Sequence, residues 1–193
     1  MHDLVRRTIT AAGAVLLSAS ALAAQGAVTP AVERPVSFGI TGGATFPTGD
    51  FGDAAATGYN VGALLEFKPA PGPLSFRVEG DYQSFSAKDE IKDAFGDTDL
   101  RIISGTGNVV WRFPIQSTTV RPYLTGGVGV YYLKSESDTD LLDDSQTKFG
   151  LNGGGGIEIP LSGLTTFIEA RYHSVFTSES NTNFFPLRVG IRF

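Results

Sequence analysis

Apolar and polar residues alternate one for one along most of this chain, and the last nine residues show it most clearly. Phe185, Leu187, Val189, Ile191 and Phe193 fall on one face of an extended strand, with Pro186, Arg188, Gly190 and Arg192 on the other. Seven earlier runs repeat the pattern. Val36, Phe38, Ile40, Gly42, Ala44 and Phe46 oppose Ser37, Gly39, Thr41, Gly43 and Thr45, and Tyr59, Val61, Ala63, Leu65 and Phe67 oppose Asn60, Gly62, Leu64 and Glu66. Leu74, Phe76, Val78, Gly80 and Tyr82 oppose Ser75, Arg77, Glu79, Asp81 and Gln83, and Ile103, Gly105, Gly107, Val109, Trp111 and Phe113 oppose Ser104, Thr106, Asn108 and Arg112. In the fifth run, from Tyr123 to about Leu133, Leu124, Val128, Val130 and Tyr132 oppose Tyr123, Thr125, Gly127, Gly129 and Tyr131. The sixth sets Phe149, Leu151, Ile157 and Ile159 against Asn152 and Glu158, and the seventh sets Ile168, Ala170, Tyr172 and Phe176 against Glu169, Arg171 and His173. Eight strands are predicted, all antiparallel in an up-and-down order.

The polar face decides which side is inside. It carries Glu66, Arg77, Glu79, Asp81, Arg112, Glu158, Glu169, Arg171, Arg188 and Arg192, five arginines and five carboxylates interleaved with glycine. A soluble barrel turns such residues to water and would use Lys freely. Arg matched with carboxylate suits paired contacts in a confined space, where charges must balance. The reading is an all-β, eight-stranded transmembrane barrel, apolar toward lipid and charged within; eight is an even number and the smallest known for such barrels. Connections alternate: 47–57, 86–98, 134–147 and 177–183 are long and polar or acidic, whereas 68–73, 114–120 and 162–163 are short and hold Pro or Gly. That rhythm assigns the long loops to the extracellular side and the short turns to the periplasm. Phe67, Trp111, Phe113 and Phe193 stand at short-turn ends, as an aromatic girdle should, with Tyr59, Tyr82, Tyr132 and Phe176 near the other ends.

The N-terminus adds an address. Arg6 and Arg7 precede an apolar stretch from Ala11 to Leu17, and Ala21-Leu22-Ala23 offers small residues to a signal peptidase. Residues 1–24 are expected to be a cleaved export signal, 25–35 a short lead segment, and 36–193 the barrel. No later stretch approaches a membrane-spanning helix, so a membrane protein of this sequence must cross as a closed barrel. The chain's 193 residues, with no Cys, 24 Gly and a net charge of −5, exclude disulfides and thiolate chemistry and argue against a nucleic-acid partner.

With these residues in place, the chain resembles the small eight-stranded outer-membrane barrels: the OmpA-like transmembrane domain and the OmpX and opacity-type families. The resemblance covers about residues 30–193. It rests on the export signal, the terminal strand, Pro47-Thr48-Gly49-Asp50-Phe51, Val120-Arg121-Pro122-Tyr123-Leu124 with Gly126-Gly127-Val128-Gly129, and Phe167-Ile168-Glu169-Ala170-Arg171-Tyr172. It implies an outer-membrane location and recognition of the terminal strand, Phe185, Leu187, Val189, Ile191 and Phe193, by the barrel-assembly machinery. OmpA-type proteins continue into a peptidoglycan-binding domain; this chain ends at its last strand, so no such tether is expected.

Candidate chemistry is sparse. A lumen of eight strands is filled by its own side chains, so the ten inward charges are expected to be paired struts; the alternative is a narrow ion or solute path opened by their rearrangement. His173 and Ser174 echo lipid-hydrolase residues, but consecutive strand positions face opposite ways, which separates base from nucleophile. The acidic run from Asp138 to Asp144 lacks the ligand spacing and glycine of a calcium loop, and Gly153 to Gly156 lacks the Lys-Ser/Thr of a phosphate loop. His2 lies in the signal. The expectation is a structural or surface-interaction barrel without catalytic residues, metal or cofactor. Its partners would be outer-membrane lipid and lipopolysaccharide, with an extracellular ligand on the long loops as a further partner. A solute conduit and a lipid-modifying enzyme are the competing readings.

Overall fold

The computed structural model describes residues 35–86, 98–115, 119–137, 144–177 and 181–193. The expected export signal, nearly all of the lead segment and the acidic run 138–143 lie outside the described residues. Eight strands follow one another: β1 (Val36–Thr48), β2 (Gly58–Phe67), β3 (Leu74–Ser86), β4 (Thr98–Arg112), β5 (Arg121–Ser137), β6 (Asp144–Leu161), β7 (Leu164–Val175) and β8 (Thr182–Arg192). Each pairs antiparallel with the next, and β1 closes on β8. No helix among the described residues is long enough to cross a membrane, which says nothing against crossing by strands.

The register fixes the shape. A ladder followed from Arg192 through Gly39, Leu64, Glu79, Thr106, Gly129, Gly150 and Val175 returns to β8 at Thr182, ten residues from its start. With a rise of ~3.3 Å per residue and strands ~4.8 Å apart, that stagger over eight strands tilts them by about 40° to the barrel axis. At this size the lumen has room for side chains and little else. The β7–β8 ladder runs from Thr165 opposite Arg192 to Ala170 opposite Leu187 and resumes at His173 opposite Phe184. The gap falls at Pro186, which has no N–H to give.

The two faces separate as the alternation requires. Phe38, Ile40, Leu65, Val78, Val128 and Phe149 are more than half exposed, while Arg77, Arg171 and Glu169 have no exposure at all. An arrangement with charge buried and phenylalanine outside is stable only where the outside is hydrocarbon.

Two expectations need correction. The loop expected over 134–147 is shorter, because β5 runs on to Ser137 and β6 begins at Asp144. These polar residues carry the ladder past the apolar belt, where backbone pairing needs no apolar side chain. The loop 47–57 is also not irregular throughout: it contains a one-turn helix α1 (Asp50–Ala54) entered through Gly49, whose φ of 62° is readily reached only by a residue without Cβ. At the opposite end, Ser162-Gly163 joins β6 to β7 in two residues, Gly163 at φ 87°.

Candidate functional site: the filled lumen

The ten inward charges converge from six strands. Nearest the short-turn end, the Glu66 carboxylate accepts from Ser75 Oγ at 3.0 Å, Arg77 Nε at 3.0 Å, Arg112 Nη2 at 2.5 Å and Arg192 Nη1 at 2.8 Å. Glu158 takes a two-pronged contact from Arg112, Nε at 2.9 Å and Nη2 at 2.7 Å, and a third bond from Arg192 at 2.9 Å. At mid-height, Glu169 accepts from Arg77 Nη1 at 2.8 Å, Arg171 Nη2 at 2.6 Å, Arg188 Nε at 2.8 Å and the Tyr123 hydroxyl at 2.8 Å. Glu79 is held by Arg171 and by Arg188 Nη2 at 2.7 Å, and Asp81 by Arg188 Nη1 at 2.9 Å. Arg77 links the two groups, with Glu66 on one side and Glu169 on the other. Its guanidinium carbon also lies 5.5 Å from the ring centres of both Tyr123 and Phe167.

Glycine makes the space for these rings. A Cβ on inward Gly156 would sit 2.7 Å from the Tyr123 hydroxyl, and one on Gly190 would run into the Phe167 ring. Inward glycine is therefore the complement of inward aromatic residues on the neighbouring strands.

The long-loop half of the lumen is filled differently, and the polar-interior expectation missed it. Phe85, Ile102, Tyr131, Val175, Phe184 and Ala55 form a buried apolar cluster, with Phe51, Leu100 and Leu133 packed against it. Phe51, on α1, meets Phe85 edge-on at 5.1 Å, so the helix closes the mouth over the cluster. His173 is buried at the floor of this layer, stacked on Phe184 at 4.8 Å, with Nδ1 2.9 Å from the Tyr131 hydroxyl. Ser174 lies on the opposite face of β7 and cannot serve it as a nucleophile. A second apolar group, Leu64, Val110, Tyr123 and Phe167, lies among the charges. A signal for these residues was present: Phe85 has the parity of Gln83, Ile102 that of Ser104, Val175 that of His173 and Phe184 that of Arg188.

The remaining site residues are on the outer wall. Phe67, Trp111, Phe113 and Phe193 all point outward at the short-turn end; Trp111 and Phe113 lie 4.7 Å apart, and Phe193 stacks on Phe38 at 5.2 Å. Phe185, Leu187 and Val189 are outward on β8, with Ile191 half-buried beside them. Among the described residues no cluster of His, Cys, Asp and Glu could hold a metal ion.

The sequence model of a family described as "Outer membrane protein beta-barrel domain" matches residues 9–193. Among solved structures, the chain is similar to Neisserial surface protein A (18% identity, TM-score 0.61, 82% of this chain and 96% of that one). It is similar also to a major outer membrane protein from Thermus thermophilus (14%, TM-score 0.55, 83% and 99%). A third likeness is to the outer membrane enzyme PagL (16%, TM-score 0.50, 81% and 98%). At these identities the likeness is one of fold. A search of curated protein sequences finds no match.

Proposed function

The chain belongs to the outer membrane protein β-barrel domain family, and from that membership we propose that it is a surface scaffold of the outer membrane: a rigid, occluded barrel that displays its long loops for contact with the cell's surroundings and supports envelope integrity. The observation that carries this reading is the lumen. Five arginines and five carboxylates neutralise one another across it, and an apolar layer under α1 fills the other half. Rearranging such a network means breaking several buried, charge-assisted bonds together, which disfavours a standing ion path.

The apolar belt meets lipid and lipopolysaccharide, with Phe67, Trp111, Phe113 and Phe193 anchoring its inner edge, and an extracellular ligand would engage the long loops. During biogenesis the barrel-assembly machinery reads Phe185, Leu187, Val189, Ile191 and Phe193. Removing Phe193 is expected to leave unassembled protein in the periplasm, scored by fractionation; normal surface assembly overturns that role. The likeness to the outer membrane enzyme PagL raises an enzymatic reading. In this chain, however, His173 is buried, stacked on Phe184 and within hydrogen-bond distance of the Tyr131 hydroxyl, with Ser174 on the opposite face of β7, which speaks against a His–Ser hydrolase centre. The decisive experiment is planar-bilayer recording of the refolded protein. A silent membrane is expected, and steady conductance would replace the scaffold with a conduit for small solutes.

A further inference from the structure

The balance of side-chain charge that closes the lumen stops short of the periplasmic mouth. Glu66 and Glu158 are the carboxylates nearest that end. Arg112 and Arg192 are each bonded to both, and Arg77 is shared between Glu66 and Glu169. Two further cations lie beyond them. Arg121, the first residue of β5, has the inward phase of Tyr123 and Thr125, is half-buried, and stands directly opposite Glu158 in the ladder. Both Glu158 oxygens are already held by Arg112 and Arg192, so that carboxylate is neutralised without Arg121. Lys68 continues the inward phase of Glu66 one step past the end of β2, its backbone N–H bonded to Pro35. The turns that frame the opening, 68–73, 114–120 and 162–163, contain no Asp or Glu, in a chain whose net charge is −5.

We propose that the periplasmic mouth is a binding site for a soluble oxyanion, a carboxylate or phosphate group, held chiefly by Arg121 and Arg192. Arg192 reaches Glu66 and Glu158 through Nη1 and is the most exposed arginine of the network, at 12%, so its fork meets the opening while its charge stays anchored. Both arginines border Glu158: Arg192 is bonded to it at 2.9 Å, and Arg121 is its ladder partner. Two guanidiniums thus converge on one part of the mouth from β8 and β5. They select the ligand class, because a planar fork matches carboxylate and phosphate geometry and can take two oxygens at once. The surroundings set the strength. A recess of one sign inside a low-dielectric wall concentrates its field toward the open end, and the lipid-clad barrel provides that wall. A cation is repelled by the surplus, and a neutral solute gains nothing from it. The anion is soluble rather than a lipid headgroup, since Arg121 and Arg192 have the inward phase and the outward Leu124 and Phe193 stand on the lipid side of the same strands. The site lies at the far end from the loops on which the scaffold proposal rests, and it holds whether or not the lumen conducts.

The test is NMR of the full chain in nanodiscs of zwitterionic lipid, following the arginine Nε–H signals while inorganic phosphate or succinate replaces chloride at constant ionic strength. Saturable shifts are expected at Arg121 and Arg192, with Arg171 unmoved. Arg121→Gln should weaken binding about tenfold, the loss of one charge-assisted hydrogen bond. Arg121→Lys, which keeps the charge without the fork, should recover part of that loss and serves if the first variant does not fold. Migration with and without boiling in detergent gels reports the folding of each. No change as phosphate or succinate replaces chloride, or a saturable shift that survives Arg121→Gln, would overturn the proposal. So would shifts that arise with phosphatidylglycerol in the nanodisc and not with the soluble anions, which would assign the mouth to a lipid headgroup.

Discussion

The two halves of the lumen fill the same cross-section with opposite chemistries. Toward the short turns, ion pairs dominate, with Leu64, Val110 and Phe167 packed among them; toward the long loops, Phe85, Ile102, Val175 and Phe184 pack as they would in a soluble core. The difference is one of tolerance. An apolar layer loses in proportion to the volume removed, because neighbours relax into the gap. An ion-pair network has no such gradation: removing one member leaves its partners charged, buried and uncompensated. The charged half should therefore be the brittle part of the barrel and the apolar half the forgiving one.

The sharpest way to break this comparison is Glu169→Ala. It deprives Arg77, Arg171 and Arg188 of a shared acceptor and leaves the Tyr123 hydroxyl without its partner. A loss of ~3–5 kcal/mol is expected, or failure to fold, measured by urea unfolding in lipid vesicles. A loss below about 1 kcal/mol would show that the network has slack and that its members are not mutually dependent.

Phe184→Ala tests the other half. Phe184 stacks on His173 and touches Phe85 and Tyr131, so truncation is expected to remove about 3 kcal/mol. Phe184→Leu should recover most of it, leaving a deficit under ~1.5 kcal/mol, because packing accepts an approximate fit. If Leu is no better than Ala, the cap is as exacting as the network and the contrast fails.

The third test asks whether the charged half is held by charge or by balance. Arg112→Met alone strips Glu158 of its two-pronged partner and should cost ~2–4 kcal/mol. Adding Glu158→Leu leaves Arg192 with Glu66, one charge of each sign, and should bring stability back to within about 1 kcal/mol of the native protein. A double mutant as weak as the sum of its parts would mean that each ion pair is favourable in its own right.

The brittle half was the more legible one. Alternation is a property of neighbours, so Arg188 between Leu187 and Val189, or Glu169 between Ile168 and Ala170, announces an inward charge without knowledge of any other strand. Strand number followed for the same reason, and closure from the need to satisfy every backbone group within a membrane. The apolar cap was illegible by that rule because Phe184 precedes Phe185 and Val175 precedes Phe176: two apolar residues in succession hide the phase, and only counting parity from a distant charge restores it. Which arginine meets which carboxylate was out of reach, since partners such as Arg188 and Glu79 are brought together by the ten-residue stagger of the closed ladder, a global quantity no local window contains. Helix α1 was missed because one turn offers too few positions for a helical period to register.

The smallest expected effect supplies the control for both halves. Gly163 turns β6 into β7 at φ 87°, and a Cβ placed there would meet no atom within 4 Å. Gly163→Ala therefore touches neither the ion pairs nor the apolar cap. Its only consequence is to hold an L-residue in a left-handed backbone, at a cost of about 1 kcal/mol. Because the turn lies at the mouth of the charged half, it also separates two explanations of any brittleness found there. If Gly163→Ala proves as damaging as Glu169→Ala, the short-turn end is fragile because its backbone connections are, and the network above it is a bystander. If it lowers stability by the small conformational amount alone, the fragility belongs to the buried charges, and the contrast between the two fillings of the lumen is one of chemistry.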